Sequence, residues 1–282
     1  MREIQPLGRA NKPVRRIVSL APSLTETLFF LDLGERVVGV TEQCDFPPEA
    51  REREKVGSFI KPDLKRISKL KPDLILALDR IHEKFIKEAR GEDLPVFAVP
   101  SAKSVKDILC IMEEIASVAG QEQGRASISL LRERLKSIRE RVKSLPPPRV
   151  FRLMTEDPII APTRSSYQWD AMRLAGGWPM PLEFEEPYTS VKLEEIVRFD
   201  PEVIVSCGAR GKEERRRCPG CRAQNPPCRR IVEEIGKWEG WRETTAAREG
   251  KIYPIPCELI CRPGPRLVEG IEYMSRLFHP DA

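Results

Sequence analysis

The sequence contains no apolar run that approaches the roughly 18–20 residues needed to span a membrane. Histidine occurs only twice, at His82 and His279, and neither a glycine-rich phosphate loop nor a Ser/His/Asp set stands out. These absences argue against a membrane-spanning helix and leave the common nucleotide-binding and hydrolase chemistries without support. An enzyme is therefore the less favoured class of protein.

Asparagine is also scarce, since it occurs only at Asn11 and Asn225, while Glu, Lys and Arg are abundant. This composition leans towards a thermophile. The net charge is only +5 and basic residues are interleaved with acidic ones, which argues against a nucleic-acid partner. With 40% hydrophobic and 32% charged residues, the chain is predicted to be a soluble globular protein.

The N-terminal segment MREIQPLGRANKPVRRIVSL begins with basic residues but lacks the apolar core of a secretory signal. This predicts a cytoplasmic protein, with an extracytoplasmic location as the alternative if a signal has been removed. Eight cysteines are many for a chain of 282 residues without a signal. In a reducing compartment such cysteines are more often metal ligands or thiols than disulfides.

Short apolar runs alternate with helical segments along both halves of the chain. The predicted strands are RRIVSLAP, VVGVTEQ, DLILAL and PVFAVP in the first half and RVFRLM, EVIVSCG and KIYPIP in the second. Strands that alternate with helices predict parallel sheets covered by helices on both faces. The predicted fold class is therefore α/β, with two α/β lobes whose ligand site lies in the cleft beside the carboxyl ends of strands.

A long amphipathic segment divides the two halves. In ASISLLRERLKSIRERVKSLPPP the apolar residues recur at spacings of three and four, which predicts one helix of about 24 residues, roughly 36 Å long. A coiled-coil dimer seam is the alternative, but the stripe covers fewer than four heptads. We predict an N-terminal lobe at residues 1–120, a connecting helix at 121–146 and a C-terminal lobe at 147–282.

Three longer motifs are more specific. They are RIVSLAPSLTETLFFLDLGERVVGVTEQCDFPPEA, VGSFIKPDLKRISKLKPDLILAL and the ending RPGPRLVEGIEYMSRLFHP. Together they resemble the iron-chelate and vitamin B12 binding-protein family, the class III substrate-binding proteins, over residues 14–280. The resemblance implies two α/β lobes joined by one long helix. Members bind corrinoids, ferric siderophores, haem or metal ions between the lobes and usually deliver them to an ABC transporter.

The resemblance also implies ligand contacts. Phe46 of CDFPP and Phe59 of GSFIKPD stand where the vitamin B12-binding members place aromatic residues, and Tyr188 of EPYTSV stands at the matching place in the second lobe. Flat aromatic faces suit a large macrocycle because they bury much area at a low cost in entropy. The alternative is that Phe46 and Phe59 are core or hinge residues. A corrinoid is the ligand that these residues favour.

The resemblance implies transporter docking only in part. Family members typically present one Glu on each lobe to arginines of the membrane partner. Glu194 fits the second-lobe position, whereas Lys65 occupies the first-lobe position. Because a Lys facing an Arg would be repulsive, Lys65 argues against the usual ABC transporter partner.

The segment RRRCPGCRAQNPPCRR, at residues 215–230, carries Cys218, Cys221 and Cys228. Without its cysteine-rich part a loop would lead directly into the helix RIVEEIGKW, so we interpret it as an insertion into a surface loop. CPGC is a C-x-x-C knuckle, whose two thiolates can bind one metal ion or one edge of a cluster. Only Ala223 is available as an apolar residue to order the insertion, so a bound metal is expected to do so.

Further cysteines follow predicted strands. Cys207 ends VIVSC, and Cys257 and Cys261 come directly after the last strand. We expect six second-lobe cysteines to converge near the ligand site, with Cys44 opposite them on the first lobe. A zinc site or a four-iron cluster needs a fourth ligand besides the insertion, for which Cys207 is favoured and Cys257 and Cys261 are next. Cys110, at an apolar helical position, is predicted to be a core thiol.

An iron–sulfur cluster is favoured over zinc, because these ligands would line a ligand cleft instead of stapling a remote loop. The flanking arginines (Arg215, Arg216, Arg217, Arg229 and Arg230) can offset the negative charge of a thiolate cluster. Zinc, a disulfide and free thiols are the alternatives. The resulting function is a binding protein for a corrinoid that carries a Cys-ligated metal centre. The alternatives are a redox or cluster-handling protein on the same scaffold and a siderophore- or haem-binding transporter component.

Overall fold

The computed structural model describes residues 13–211 and 227–281 of the chain. The chain divides into two compact units. Unit 1 comprises residues 1–102 and 106–131, and unit 2 comprises residues 103–105 and 132–282. Within the described ranges, no helix combines the length and the apolar character that crossing a lipid bilayer requires.

The secondary structure alternates between strands and helices in both units. The α-helices are α1 (Pro22–Phe30), α2 (Leu64–Lys69), α3 (Glu83–Gly91), α4 (Val105–Val118), α5 (Gly124–Val142), α6 (Tyr167–Leu174), α7 (Leu193–Phe199), α8 (Val232–Ile235), α9 (Thr245–Arg248), α10 (Cys257–Ile260) and α11 (Leu267–Phe278). The strands are β1 (Ile17–Ser19), β2 (Val37–Val40), β3 (Glu54–Lys55), β4 (Leu74–Leu78), β5 (Val96–Val99), β6 (Arg149–Leu153), β7 (Thr155–Glu156), β8 (Ile159–Pro162), β9 (Trp178–Pro179), β10 (Tyr188–Ser190), β11 (Val203–Ser206) and β12 (Ile252–Pro254).

Unit 1 is built on a five-stranded parallel sheet in the order β3-β2-β1-β4-β5. Its central strand β1 is buried at every residue, as expected for a short apolar run between two parallel neighbours. Ile67 of α2 and Phe85 of α3 pack into the same core as Val18 of β1. The apolar runs of the sequence therefore become strands because helices cover them.

Unit 2 contains a four-stranded parallel sheet, β12-β11-β6-β9, and a three-stranded antiparallel sheet, β10-β8-β7. Strand β11 lies between β12 and β6, and Ser206 pairs with Pro254 on one side and Leu153 on the other. Phe151 of β6 and Trp241 share the main core of this unit. Because β6, β11 and β12 run parallel, their carboxyl ends meet at one edge of the sheet, where such folds place ligand-binding groups.

The structure confirms the predicted α/β class, and each of the seven predicted strands is present, as β1, β2, β4, β5, β6, β11 and β12. The antiparallel sheet was not predicted, because β7 has only 2 residues and β10 only 3, too few to show an alternating pattern. The pair Asp157–Pro158 stands in the turn between β7 and β8. That pair is the turn signal that would have indicated a hairpin here.

The long helix is shorter than the predicted span of residues 121–146. Helix α5 covers Gly124–Val142, which is 19 residues, and it carries buried Ile128 and Ile138 on one side. A residue that precedes proline is disfavoured in the helical conformation, so Leu145 before Pro146 cannot continue the helix. The division between the two units falls within α5, between residues 131 and 132.

Candidate metal centre and ligand-binding residues

Three cysteines of unit 2 lie together at the carboxyl ends of adjacent parallel strands. Cys207 follows β11 directly, Cys257 opens α10 shortly after β12, and Cys261 caps the end of α10. Their Sγ atoms all lie within 4.8 Å of one another, and those of Cys207 and Cys257 are 3.2 Å apart. We call Cys207, Cys257 and Cys261 the three-cysteine group. Its sulfurs are close enough together to bind one metal ion.

Backbone geometry explains why these cysteines meet. Cys257 and Cys261 are four residues apart on one helical turn, which places both side chains on the same face of α10. The Cys261 N–H donates to the Cys257 carbonyl oxygen at 2.7 Å. At the start of this connection the Ile255 N–H donates to the Ser206 carbonyl oxygen at 2.8 Å, so α10 begins level with the end of β11. The pairing of β11 with β12 thus brings Cys207 to the other two sulfurs.

A buried arginine contacts two sulfurs of the three-cysteine group. Arg152, on the neighbouring strand β6, is only 1% exposed. Its Nη2 lies 3.4 Å from the Cys261 Sγ and 3.7 Å from the Cys207 Sγ, and its Nε donates to the Gln168 Oε1 at 2.9 Å. Its Nη1 is buried and has no hydrogen-bond acceptor among the described residues. Sequence reasoning missed Arg152, although a charged residue inside the apolar strand RVFRLM was the available signal.

The electrostatics of the group favour negative charge on sulfur. Hydrogen bonds from the Cys257 and Cys261 thiols lower the pKa of Cys207 well below its usual range, and the Arg152 cation adds to this effect against the cost of burial. The hydrogen bond that Cys261 gives to Cys207 is the main reason why the pKa of Cys261 is raised to about 12. Burial opposes the charge on Arg152, but the three sulfurs outweigh it and raise the Arg152 pKa, so the guanidinium stays protonated.

The described residues on either side of the range 212–226, Gly208 and Ala209 before it and Arg230 after it, lie next to each other beside Cys207. Gly208 has a φ of +148°, and a Cβ there would lie 2.6 Å from the Arg230 carbonyl oxygen, so the close approach requires glycine. The Ala209 N–H donates to that same carbonyl oxygen at 3.0 Å. The Arg230 side chain is 6% exposed and forms an ion pair of 2.6 Å with Glu156. The chain therefore leaves this sheet edge and returns to it beside Cys207.

The structure brings together three of the six cysteines that the sequence predicts as metal ligands, the three at strand ends. Cys228 is half-buried in the short 3-10 segment Pro227–Arg229 and is not part of the three-cysteine group. Cys218 and Cys221 lie outside the described residues, as do Arg215, Arg216 and Arg217. No disulfide joins the cysteines within residues 13–211 and 227–281. The roles predicted for Cys218, Cys221 and Cys228 remain predictions.

Cys44, which the sequence assigns to ligand binding, is an interior thiol of unit 1. It is 1% exposed, and its sulfur lies 3.1 Å from the Thr25 Oγ1 and 3.2 Å from the Thr41 Oγ1. Burial raises the pKa of Cys44, although both hydroxyl contacts act in the opposite direction. The contacts of the Cys44 thiol hold the start of the loop that carries Phe46 against unit 1. Phe46 itself is 40% exposed. Cys110 on α4 is a half-buried thiol.

The loop that carries Phe59 is fixed by a buried histidine. His82, which follows the predicted strand DLILAL, is only 2% exposed. Its Nδ1 accepts a hydrogen bond from the Leu78 N–H at 2.9 Å, and its Nε2 donates to the Phe59 carbonyl oxygen at 2.7 Å. The ring also meets the Phe59 ring edge to face, with centroids 5.6 Å apart. His82 thus joins the end of β4 to the half-buried Phe59.

We expect His82 to make folding stability depend on pH. Burial lowers its pKa below the ordinary value of about 6.5, so the unfolded chain takes up a proton at a higher pH than the folded chain does. The free energy of unfolding should therefore be undiminished above about pH 6.5 and should fall as the pH drops through the folded pKa, by up to about 1.4 kcal/mol per pH unit. Urea unfolding at pH 7.5 and 5.5 measures this, with His82→Leu as the control. Equal pH dependence in both proteins would contradict the assignment.

Tyr188 lies beside the three-cysteine group. It is on β10, half-buried, and its phenol is hydrogen-bonded to Ser166. Burial raises the pKa of Tyr188, and the charges of Cys261 and Arg152 both act on it. The aromatic residue that the resemblance assigns to ligand binding is therefore close enough to Cys261 and Arg152 for their charges to act on its pKa.

Both predicted docking residues are exposed, each on its own unit. Glu194 lies in the first turn of α7, and Lys65 lies in the first turn of α2. Glu194 adds to the acidic character of that helix start, which complements the helix dipole. The two positions therefore present opposite charges to solvent.

Two α/β units, parallel sheets and a helix that runs across the division between them define a two-domain solute-binding protein by class. The family model described as periplasmic binding protein matches residues 17–259. The chain belongs to this family, as its sequence motifs predicted.

Individual relatives agree with this assignment. The chain is 27% identical, over 94% of its length and 90% of the relative's, to a vitamin B12-binding protein of Vibrio parahaemolyticus. It is 28% identical, over 96% of its length and 82% of the relative's, to the uncharacterized ABC transporter substrate-binding lipoprotein YvrC of Bacillus subtilis. The solved structure of the periplasmic haem-binding protein HutB of Vibrio cholerae covers 94% of this chain and 99% of its own, with a TM-score of 0.79 and 15% identity. That last similarity shows the fold alone.

Proposed function

We propose that this protein binds a metal chelate, most specifically a corrinoid, and that it carries a metal centre formed by cysteines of unit 2. The observation that carries the first part is the similarity, along nearly the whole chain, to a relative named for binding vitamin B12. Haem is the next candidate, since the fold is shared with a haem-binding protein. Both ligands are flat macrocycles with a central metal.

The aromatic residues support this ligand class. Phe46 is a large apolar side chain that is 40% exposed, so part of its surface is accessible to a ligand. Phe59 is half-buried on a loop held by His82, and Tyr188 is half-buried on β10. Rigid loops and strands of this kind present aromatic rings at a low cost in entropy on binding.

The proposal is tested by mixing the purified protein separately with cyanocobalamin, haemin and a ferric siderophore. Absorbance and thermal stability are measured as each ligand is added. We expect saturable binding of cyanocobalamin with one site per chain and an increase in melting temperature, because a ligand that binds only the folded state stabilises it. The absence of a spectral and a thermal change with all three ligands would contradict chelate binding.

Phe46→Ala should weaken the binding of the chelate by about tenfold or more, because a buried aromatic contact in a binding site is commonly worth more than about 1 kcal/mol. Leu130→Ala is the matched control, since Leu130 is also a large exposed apolar residue, 67% exposed on α5. The dissociation constant from the cobalamin titration measures both variants. Equal affinity in Phe46→Ala and in the native protein would show that Phe46 does not contact the ligand.

The three-cysteine group and Arg152 support the second part of the proposal, a Cys-ligated metal centre. Thiolate sulfur selects zinc, copper(I) and iron–sulfur clusters among biological metals. The cysteine-rich insertion follows Cys207 in the chain and supplies three more cysteines, Cys218, Cys221 and Cys228, as candidates for a further ligand. The sequence favoured an iron–sulfur cluster here, with zinc as the alternative. A redox or cluster-handling role for such a centre is the second candidate function.

We further propose that the chain serves a transporter, as the name of the Bacillus relative suggests for that protein. Exposed Glu194 suits a basic partner surface, whereas exposed Lys65 suits an acidic one. The relatives include a lipoprotein and a periplasmic protein, which favours an extracytoplasmic location. They give the cytoplasmic prediction no support.

A further inference from the structure

We propose that Cys207, Cys257 and Cys261 bind one thiophilic divalent ion of the zinc class, and that they do not bind an iron–sulfur cluster. This inference rests on the metal-centre part of the proposed function and is independent of chelate binding. It also changes the assignment of the ligands, because the primary ligands are the residues at strand ends and not those of the insertion.

The distances between the sulfurs separate the two kinds of centre. In a tetrahedral site with metal–sulfur bonds of about 2.3 Å, two sulfurs on one ion lie about 3.8 Å apart. The Sγ atoms of Cys207 and Cys257 are 3.2 Å apart, and all three sulfurs lie within 4.8 Å of one another. The thiolates of a four-iron cluster bind different irons along outward bonds, and a two-iron cluster holds at most two thiolates on each iron. Three sulfurs bound to either cluster therefore cannot all stand as close together as the ligands of one ion. The observed spacing therefore fits a single ion.

The charge of the surroundings fits the same centre. Three thiolates on one divalent ion leave a net charge of −1, which is costly to bury without a counter-charge. The Arg152 guanidinium supplies one positive charge, and its Nη2 contacts the sulfurs of Cys261 and Cys207 at 3.4 and 3.7 Å. Within the part of the chain that the structure describes, no carboxylate forms an ion pair with Arg152. The sulfurs are thus the groups that balance this buried cation.

A second observation points to a group that is still to be bound. Within residues 13–211 and 227–281, the Nη1 of Arg152 is a buried donor without an acceptor, although its Nε and Nη2 are both occupied. Buried donors are almost always satisfied in folded proteins. A three-thiolate ion also retains an open coordination position, which a water molecule, an anion or another side chain fills. Among the described residues, the unpaired Nη1 leaves a buried donor beside the sulfurs that a bound group could satisfy.

The test is a titration of the reduced, metal-free protein with Co²⁺ under anaerobic conditions. Co²⁺ replaces zinc and reports thiolate ligation through sulfur-to-metal charge-transfer absorbance in the near ultraviolet. We expect one equivalent of Co²⁺ to bind the native protein. Mutating a residue that only contacts a metal ligand typically costs about 10–100-fold in metal affinity. Cys257→Ser and Cys207→Ser each remove a direct ligand, so each should weaken Co²⁺ binding by at least roughly 100-fold. Cys110→Ser, which alters a half-buried thiol on α4, is the matched control and should bind as the native protein does.

A third variant decides between the two sets of cysteines. Cys221→Ser should retain one equivalent of Co²⁺ with its charge-transfer band. Loss of binding in Cys221→Ser together with native binding in Cys257→Ser would overturn the proposal, as would a native protein that shows no such band. Circular dichroism of each variant shows whether it is folded. If Cys257→Ser does not fold, Cys207→Ser gives an independent result. No corrinoid or haem enters this experiment, so its failure is distinct from a failure of chelate binding.

Discussion

Arg152→Met is expected to weaken Co²⁺ binding at the three-cysteine group by about 10–100-fold, the range found for outer partners of metal ligands. Met fills a similar volume and removes only the charge and the donors. The negative charge of three thiolates on one ion then lies in the protein interior without the cation that contacts Cys207 and Cys261. The dissociation constant and the position of the charge-transfer band measure the effect together.

Two further variants show whether Arg152 acts through the sulfurs. Arg152→Lys keeps the positive charge but loses the planar set of donors, so its affinity should lie between those of the native protein and Arg152→Met. Arg149→Met is the matched control, because Arg149 lies on the same strand β6 but pairs with Asp200 and Glu202 at the other end. Native Co²⁺ affinity and an unshifted band in Arg152→Met would remove Arg152 from the metal centre.

Trp241→Ala should lower the free energy of unfolding of unit 2 by about 3–5 kcal/mol, the usual cost of removing a large aromatic side chain from a core. Trp241 is 4% exposed and packs against Phe151, with ring centroids 5.8 Å apart. It belongs to the core that also contains Leu153 of β6 and Ile204 of β11, the strand that leads to Cys207. The melting temperature should fall by roughly 10 °C.

Trp178→Ala is the control with the same chemical change at the surface, since Trp178 is 48% exposed. It should cost less than about 1 kcal/mol. Tryptophan fluorescence reports on unit 2 alone, because all 4 tryptophans of the chain lie after residue 131. Equal losses of stability in Trp241→Ala and Trp178→Ala would show that the core of unit 2 is not organised around Trp241.

The fold could be predicted further than the site. Short apolar runs such as VVGV and LILAL became strands because parallel strands are covered on both faces, and this pattern is visible in sequence. The end of helix α5 and the hairpin of β7 and β8 were harder to predict. The prolines after α5 limit the helix, and β7 is too short to show a strand pattern. The positions of Cys207 and Cys257 after strands did predict that they lie at one edge of a sheet.

The grouping of the cysteines was harder to predict, because spacing along the chain is a local signal. CPGC has the spacing of a metal knuckle, so the sequence favoured Cys218 and Cys221 as the first ligands. The three-cysteine group is instead assembled from residues 50 apart in sequence, and only the pairing of β11 with β12 brings them together. The contacts of Arg152 could not be predicted either, because they also join residues far apart in the sequence. Its partners lie 55 and 109 residues further along the chain.

The most direct measurement of the central claim is the metal, iron and acid-labile sulfide content of protein purified without oxygen. We expect one thiophilic divalent ion per chain, no acid-labile sulfide and no broad absorbance near 400 nm of the kind that thiolate-ligated iron–sulfur clusters show. A brown protein that contains iron and sulfide in equal amounts would contradict the single-ion centre at Cys207, Cys257 and Cys261.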